Sequence, residues 1–410
     1  MVSEADGGAR PLTIWLVAGE ESGDQLGGKL MAALKSRLGA QGVRFGGVGG
    51  MAMQAEGLQS LFPLTDIAVM GIGAVLARLP ALLRRVRRAA DAIVAARPDA
   101  LVIIDNPDFT HLVAKRVRRR APEIPVVNYV SPSVWAWRPG RAKKMRAYVD
   151  HVLALKPFEP DAHRRLGGPA CTYVGHPLIE RLADVRPGQG ERKPLGEEPV
   201  SLIVLPGSRR SEVSRLMQPF GDALRLLQER SPVRFEVTIP AVTHLADDIE
   251  ARAADWPLRP ILVRGEAAKW AAFRGANAAL AASGTVTLEL ALSGVPMVVA
   301  YKVSKIEEQL KYLIDVPSIV LANLVLGENV IPERVQWDCT PEKLAAALLP
   351  LLSDTPDRRA QTQAFERLDA VMAIADETPS ERAARIVAEV IAANPSRVTG
   401  GETLTRAARR

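Results

Sequence analysis

Short apolar runs alternate with amphipathic segments along most of the chain. Runs such as Leu12–Val17 and Val43–Val48 lead into polar, glycine-bearing turns, and apolar positions at helical spacing follow. Short runs in which apolar residues predominate are typical of parallel strands that are buried on both faces. The pattern therefore predicts repeated strand–helix units, and it restarts at Ser201–Leu205 after a polar stretch.

The polar stretch Arg181–Pro199, rich in proline and glycine, predicts a linker between two α/β domains. We expect two Rossmann-like, doubly wound domains facing a cleft, one over residues 11–180 and one over residues 198–375. A C-terminal helix over residues 376–395 is expected to return to the first domain. Residues 1–10 and 396–410 are expected to be disordered tails.

The first predicted strand ends in a polar loop, Ala18–Asp24, with three side chains suited to the hydroxyl groups of a sugar acceptor. These are Glu20, Ser22 and Asp24. Ser22 or Asp24 also fits the cap of the following helix, and both roles stay open. The loop lacks G-x-G-x-x-G, so the dinucleotide fingerprint is absent.

Two carboxylates follow the apolar run that ends at Ile104. Asp105 comes directly after this run, and Asp108 lies three residues further on. Side chains at the carboxyl end of a parallel strand are placed to act on a substrate, so Asp105 is the candidate general base. Asp108 also fits a helix cap, and a structural role for both residues stays open.

The segment Val130–Arg141 combines serines, two tryptophans and several bases. Its candidates for acceptor binding are Ser131, Ser133 and Trp135. Aromatic faces beside bases suit a sugar ring, an acyl chain or single-stranded nucleic acid. Buried tryptophan packing is the alternative.

Two turns in the second half, each between a strand and a helix, favour phosphate. The amides at a helix start carry partial positive charge, and small residues let a ligand approach them. The turn residues are Gly207, Ser208 and Arg209 in one case, and Ser283, Gly284 and Thr285 in the other. Glu289 is one helical turn beyond Thr285 and suits a ribose diol, and Asn323 is expected to face the cleft. Ordinary turns with solvated arginines are the alternative.

The segment Asp66–Arg97 is strongly amphipathic, with apolar positions at helical spacing and arginines mostly on the other side. It predicts a crossover helix with a solvated basic face, or a membrane-surface element that inserts Met70–Leu79 into lipid. The candidate phosphate contacts are Arg78, Arg84, Arg85 and Arg88. Pro80 is expected to begin a new helix.

Composition narrows the classes of function. The 410 residues carry a net charge of +7, which favours anionic partners such as nucleotides, nucleic acid or a membrane surface. Two cysteines exclude a disulfide framework, and no run of 18 apolar residues predicts a membrane span. Neither D-x-D nor H-E-x-x-H occurs, so neither a metal site nor a cofactor is predicted.

Three classes of function are compared: a glycosyltransferase, a dinucleotide-dependent oxidoreductase and a basic nucleic-acid-binding protein. The missing G-x-G-x-x-G argues against the oxidoreductase. The charge is spread along the chain without a known module, which argues against a nucleic-acid partner. A glycosyltransferase with the nucleotide sugar in the second domain and the acceptor in the first fits best.

Five motifs, spread over about residues 12–390, resemble those of the lipid-A-disaccharide synthase family. They are Ala18–Asp24, Tyr129–Trp137, Val174–Pro177, Leu205–Arg209 with Glu212, and Ser283–Thr285 with Glu289. The resemblance implies the glycosyltransferase B fold and the inverting transfer of a diacylglucosaminyl group from UDP-2,3-diacylglucosamine to 2,3-diacylglucosamine 1-phosphate (lipid X). It also implies release of UDP, a step in lipid A biosynthesis, and a peripheral place on the cytoplasmic face of the inner membrane.

The resemblance also implies roles for individual residues. By position, Asp105 matches a catalytic aspartate, Arg209 a diphosphate contact and Glu289 a ribose contact. Asn323 matches a cleft asparagine, and Glu20 and Ser22 match residues near the acceptor. A homodimer that exchanges C-terminal segments is expected from the same resemblance.

Overall fold

The computed structural model describes residues 10–67, 72–304 and 317–394, without the side chains of residues 72–79. This part of the chain divides into two units. The first contains the described residues up to Pro177 and those from Ile374 onward, and the second is Leu178–Ala373.

Twelve strands lie within the described ranges. They are β1 Leu12–Ala18, β2 Val43–Val48, β3 Ala100–Ile104, β4 Val126–Tyr129, β5 His151–Ala154, β6 Ala170–Tyr173, β7 Val200–Leu205, β8 Phe235–Ala241, β9 Ile261–Arg264, β10 Ala278–Ala282, β11 Met297–Tyr301 and β12 Glu333–Val335.

The α-helices of the described ranges alternate with these strands. They are α1 Glu21–Leu38, α2 Met51–Ala55, α3 Ile72–Ala96, α4 Pro107–Arg120, α5 Gly140–Met145, α6 Glu159–Arg165, α7 Leu182–Val185, α8 Arg210–Arg230, α9 Ala246–Ala253, α10 Glu266–Gly275, α11 Val286–Leu292, α12 Leu321–Leu326, α13 Pro341–Leu348, α14 Pro356–Met372 and α15 Pro379–Ala392. None of them combines the length and apolarity that crossing a bilayer requires.

Each unit is built on one parallel sheet of six strands. The first sheet has the order β2-β1-β3-β4-β5-β6, and the second has the order β12-β11-β10-β7-β8-β9. Every residue of β3 is buried, as are all five of β10, because helices cover both faces of a doubly wound sheet. The predicted α/β class with two Rossmann-like domains is confirmed.

The strand order reverses once in each sheet. From β1 the chain moves outward to β2, whereas β3 to β6 extend the sheet on the other side of β1. In the second sheet the corresponding neighbours are β7 and β10. Such a reversal opens a crevice at the carboxyl ends of the two central strands, where doubly wound sheets bind ligands.

The stretch predicted as a linker is packed into the second unit. The Arg192 guanidinium donates four hydrogen bonds to backbone carbonyls, at 2.6 Å to Ser293 and 2.8 Å to Gly294 and at longer range to Phe273 and Arg274. Burial, and then the charge of Arg358, lowers the pKa of Arg192 to about 10. Polar composition indicated a linker here, but the segment is held by Arg192 and by hydrogen bonds from Arg274 to Glu191 and from Asn277 to the Lys193 carbonyl.

Two further features concern α3 and α15. The helix α3 runs through Pro80, so the prediction that this proline begins a new helix was wrong. The loss of one backbone hydrogen bond at proline is tolerated in a helix whose later turns bury Val86, Ala90 and Ile93 in the core. The helix α15 packs on α1 in the first unit and adds Ala383, Val387 and Ile391 to that core.

Candidate active site

In the first unit, the strand reversal brings Ser22 and Asp105 together. Ser22 lies in the first turn of α1, just after β1, and Asp105 follows β3 directly. The Ser22 hydroxyl donates to Oδ2 of Asp105 at 2.9 Å, although 83 residues separate the two. Oδ1 of Asp105 accepts the Asn106 backbone N–H at 2.8 Å. The carboxylate is therefore held at both oxygens, while the residue remains partly open to solvent.

The backbone beside this carboxylate adopts conformations that side chains disfavour. Asp105 and Asn106 have φ angles of 55° and 38°, and Val130, which follows β4, has a φ of 73°. Strained residues of this kind persist where the surrounding structure over-determines them, as it commonly does at active sites. The Asn106 amide donates to the Gly19 carbonyl at 3.2 Å. A Cβ at Gly19 would lie 2.3 Å from that of Asn106, so only glycine fits there.

Asp24 has a structural role instead of the predicted acceptor contact. Its side chain is fully buried, and its carboxylate accepts backbone N–H groups from Gly50 at 2.7 Å, Ala52 at 2.9 Å and Met53 at 3.1 Å. It thus caps α2 from a distance, because the first amides of a helix lack partners within it. Glu20 and Ser22, by contrast, lie exposed at the start of α1.

The three candidates that follow β4 lie in different surroundings. Ser131 is 3% exposed and its hydroxyl lies 2.9 Å from Nε2 of His163, so the predicted acceptor contact is wrong for this residue. Ser133 is exposed. The Trp135 indole donates to the buried carboxylate of Glu159 at 3.2 Å, which fixes its ring while leaving it partly exposed. The alternative of tryptophan packing therefore holds in part for Trp135, whose indole is fixed by Glu159.

In the second unit, the turn after β7 is already occupied by a carboxylate. Oε2 of Glu212 accepts the N–H groups of Ser208 at 3.0 Å and Arg209 at 3.2 Å, and Oε1 accepts the Arg209 guanidinium at 2.9 Å. Gly207 has a φ of 113°, and a Cβ there would lie 2.5 Å from Glu212. The two amides predicted to bind phosphate are thus satisfied internally, and the Arg209 side chain, 68% exposed, is the available donor.

The turn after β10 is open. Gly284 and Thr285 are exposed, and a Cβ at Gly284 would meet nothing within 4 Å. Ser283 is less available, since its N–H donates to the Ala300 carbonyl and its hydroxyl to the Ile319 carbonyl. Oε2 of Glu289 accepts Nζ of Lys269 at 2.9 Å. The sequence pattern did not single out Lys269, because nothing near it in the chain relates it to Glu289.

Asn323 contradicts the prediction that it faces a ligand. It is 1% exposed, and its amide donates to the Ile331 carbonyl and to Glu333. Its carbonyl oxygen accepts the Ile331 N–H at 3.0 Å. Both groups of its amide thus hold the segment before β12.

The predicted membrane arginines are only partly available. Arg85 forms an ion pair with Asp66 at 2.5 Å and lies over the Phe62 ring, and Arg88 lies over the same ring. Arg84 is exposed. The side chain of Arg78 and the residues 68–71 lie outside the described residues. In the described part of the chain, no three His, Cys, Asp or Glu side chains are grouped to hold a metal ion.

Comparison with known proteins gives matches over most of the chain. The family described as lipid-A-disaccharide synthetase matches residues 14–389. A lipid-A-disaccharide synthase from Nitrobacter hamburgensis is 57% identical over 93% of this chain and 96% of its own length.

Two solved structures share the fold. The glycotransferase of kitacinnamycin has a TM-score of 0.58 and 17% identity, with 93% of this chain and 100% of that chain covered. A UDP-GlcNAc 2-epimerase from Neisseria meningitidis, bound to UDP-GlcNAc, has a TM-score of 0.57 and 13% identity, with 93% and 100% covered.

Proposed function

The chain belongs to the lipid-A-disaccharide synthase family, and on this premise we propose that it joins UDP-2,3-diacylglucosamine to lipid X and releases UDP. The observation that carries the proposal is the family match over residues 14–389, which includes both six-stranded sheets except Leu12 and Thr13 of β1. The product is a lipid A disaccharide 1-phosphate, and the enzyme is a hexosyltransferase.

Asp105 acts as the general base in this proposal. It takes the proton of the acceptor's primary hydroxyl as that oxygen bonds to the anomeric carbon of the donor. The electron pair of the breaking bond leaves with the diphosphate, so one displacement inverts the anomeric centre. The Ser22 hydroxyl and the Asn106 N–H each occupy one lone pair of the carboxylate. A carboxylate oxygen has two such sites, so Asp105 can still accept a substrate hydroxyl.

The second unit binds UDP and stabilises the leaving diphosphate. Arg209 supplies a positive charge for the diphosphate, because only its Nη1 donates to the Glu212 carboxylate and most of the side chain is exposed. The exposed turn at Gly284 and Thr285 lets phosphate oxygens approach the start of α11. Glu289 accepts the ribose hydroxyls, and Lys269 orients it.

The test is product separation after the purified protein is mixed with radiolabelled donor and lipid X, with and without chelator. We expect a disaccharide phosphate in both reactions. Asp105→Asn should lower turnover by about two to four powers of ten, the usual contribution of a general base, with UDP affinity unchanged. Asp161→Asn is the matched control, because Asp161 is an exposed aspartate of α6. No product from lipid X, while UDP still binds, would redirect the search to another acceptor.

We also propose a peripheral place on an anionic membrane surface. Arg84 and Arg87 are exposed on α3 and suit lipid phosphates. Binding to phosphatidylglycerol vesicles should weaken as salt is added and should weaken in the Arg84→Gln, Arg87→Gln double variant. Binding that is unchanged by salt and by the double substitution would contradict this proposal. The homodimer remains a prediction of the family resemblance, which sedimentation of the purified chain can test.

A further inference from the structure

A strongly basic cavity of about 610 Å³ lies beside the candidate base in the first unit. Its wall is formed by the first half of α4, which begins two residues after Asp105, and by the segment that contains α5. Four cationic side chains and one carboxylate line it, which is a formal net charge of +3 (four minus one). The cations are Lys115, Arg138, Arg141 and Lys144, and the carboxylate is Asp108.

The positive charges of this cavity are poorly compensated within the protein. Nη2 of Arg141 lies 3.5 Å from Asp108, but the Asp108 side chain is 86% exposed and therefore strongly screened. No carboxylate among the described residues lies within ion-pair distance of Lys115, Arg138 or Lys144. The ammonium of Lys115 lies 4.9 Å from the centre of the Tyr148 ring instead.

The cations are close enough to repel one another. Burial, and then the charges of Arg141 and Lys144, lowers the pKa of Lys115. The pKa of His111, which lines the same cavity, is lowered to about 4 chiefly by burial, with the charges of Arg141 and Lys115 acting in the same direction. Like charges held together in this way are relieved when a multivalent anion binds between them.

We propose that this cavity binds the phosphomonoester of the acceptor and so fixes which end of lipid X meets Asp105. This inference rests on the proposed function, since it takes lipid X as the acceptor. A phosphomonoester carries close to two negative charges at neutral pH and offers three oxygens, which suits several convergent cations. Lipid X carries its phosphate on the anomeric carbon and its reacting hydroxyl at the opposite end of the sugar. A phosphate held along α4 therefore leaves that hydroxyl free to reach the start of the helix.

The test compares lipid X with the same diacylglucosamine lacking the phosphate, both in the same detergent micelles. For the unchanged enzyme, kcat/KM should be higher for lipid X by about tenfold to a hundredfold, the usual effect of a charge-assisted contact. In the Lys115→Met, Lys144→Ala double variant this preference should fall severalfold, mainly through KM, because only Arg138 and Arg141 remain to bind the phosphate. Lys115→Met keeps the apolar stem over Tyr148. Lys143→Ala is the matched control, since Lys143 is an exposed neighbour in α5 that does not line the cavity.

Other sources of the anion give different outcomes. If the cavity served the donor diphosphate, the double variant would weaken UDP binding in calorimetry, and we expect no change. If it served membrane phosphates, the variant would lose binding to phosphatidylglycerol vesicles and keep its preference for lipid X. The inference would be overturned if the double variant formed disaccharide and preferred lipid X as strongly as Lys143→Ala does. That result would leave the proposed function standing. No disaccharide from either acceptor would instead remove the proposed function.

Discussion

The hydrogen bond from Ser22 to Asp105 allows a quantitative test of the proposed base. A hydrogen bond to a charged group contributes about 1.5–3 kcal/mol. Because the Ser22–Asp105 contact is exposed to solvent, we take the lower end, about 1.5 kcal/mol, which corresponds to about tenfold in rate. Ser22→Ala should therefore lower turnover about tenfold, since the carboxylate loses one of the two groups that orient it.

The decisive measurement is a double-mutant cycle on turnover at saturating substrates, with radiolabelled product. In the Asp105→Asn background, Ser22→Ala should have almost no further effect, because the carboxylate it orients is already absent. Ser36→Ala, an exposed serine of the same helix, is the control and should leave turnover unchanged. If Ser22→Ala lowered turnover equally in both backgrounds, Ser22 would act independently of Asp105 and the assigned role of this contact would be refuted.

Three further predictions follow from buried or paired groups. Asp24→Ala leaves three backbone amides without their acceptor, so it should lower the free energy of unfolding by about 2–5 kcal/mol. Calorimetry should show a lower transition temperature, while KM for lipid X at low temperature stays unchanged. An unshifted transition would contradict the capping role. Lys269→Met should weaken UDP binding several-fold in calorimetry but leave inorganic pyrophosphate, which has no ribose, unaffected; parallel losses would argue against the ribose assignment. Burial lowers the pKa of His111 to about 4, so between pH 6.5 and 4 the unfolded chain binds a proton that the folded chain does not. The free energy of unfolding should therefore decrease by up to about 3 kcal/mol as the pH is lowered from 6.5 to 4. In urea unfolding at pH 7 and 4.5, His111→Gln should reduce this difference.

The strands were predictable wherever local sequence decides them. Val43–Val48 has the predicted bounds, and the runs Leu12–Val17 and Ser201–Leu205 each differ from the observed strand by one residue, because glycine follows each run closely. The strand Glu333–Val335 was missed, since it has three residues and its conformation depends on pairing with β11. Its place in the sheet is a tertiary property that no local pattern carries.

The candidate site was predictable in its elements but not in its contacts. Asp105 and both turns stand at strand ends, which glycine, proline and polar residues mark in the sequence. That Ser22 meets Asp105 depends on the strand order, which no local pattern states. Asp24 could equally have faced a ligand, and the decision lies with the amides at the start of α2, about 26 residues away. Glu212 likewise accepts hydrogen bonds from the Ser208 and Arg209 amides, which the turn pattern alone predicts as phosphate ligands.

The helix α15 gives this protein an unusual order of completion during synthesis. Its apolar residues belong to the core of the unit that is made first, yet they are translated after the whole of Leu178–Ala373. At about 5–20 residues per second, those 196 residues (373 − 178 + 1) take the ribosome about 10–40 s. During that interval the face of α1 that α15 covers is open to chaperones and to other nascent chains. The first unit to appear is therefore the last to be finished, and a chain that stops before Pro379 leaves it without its closing helix.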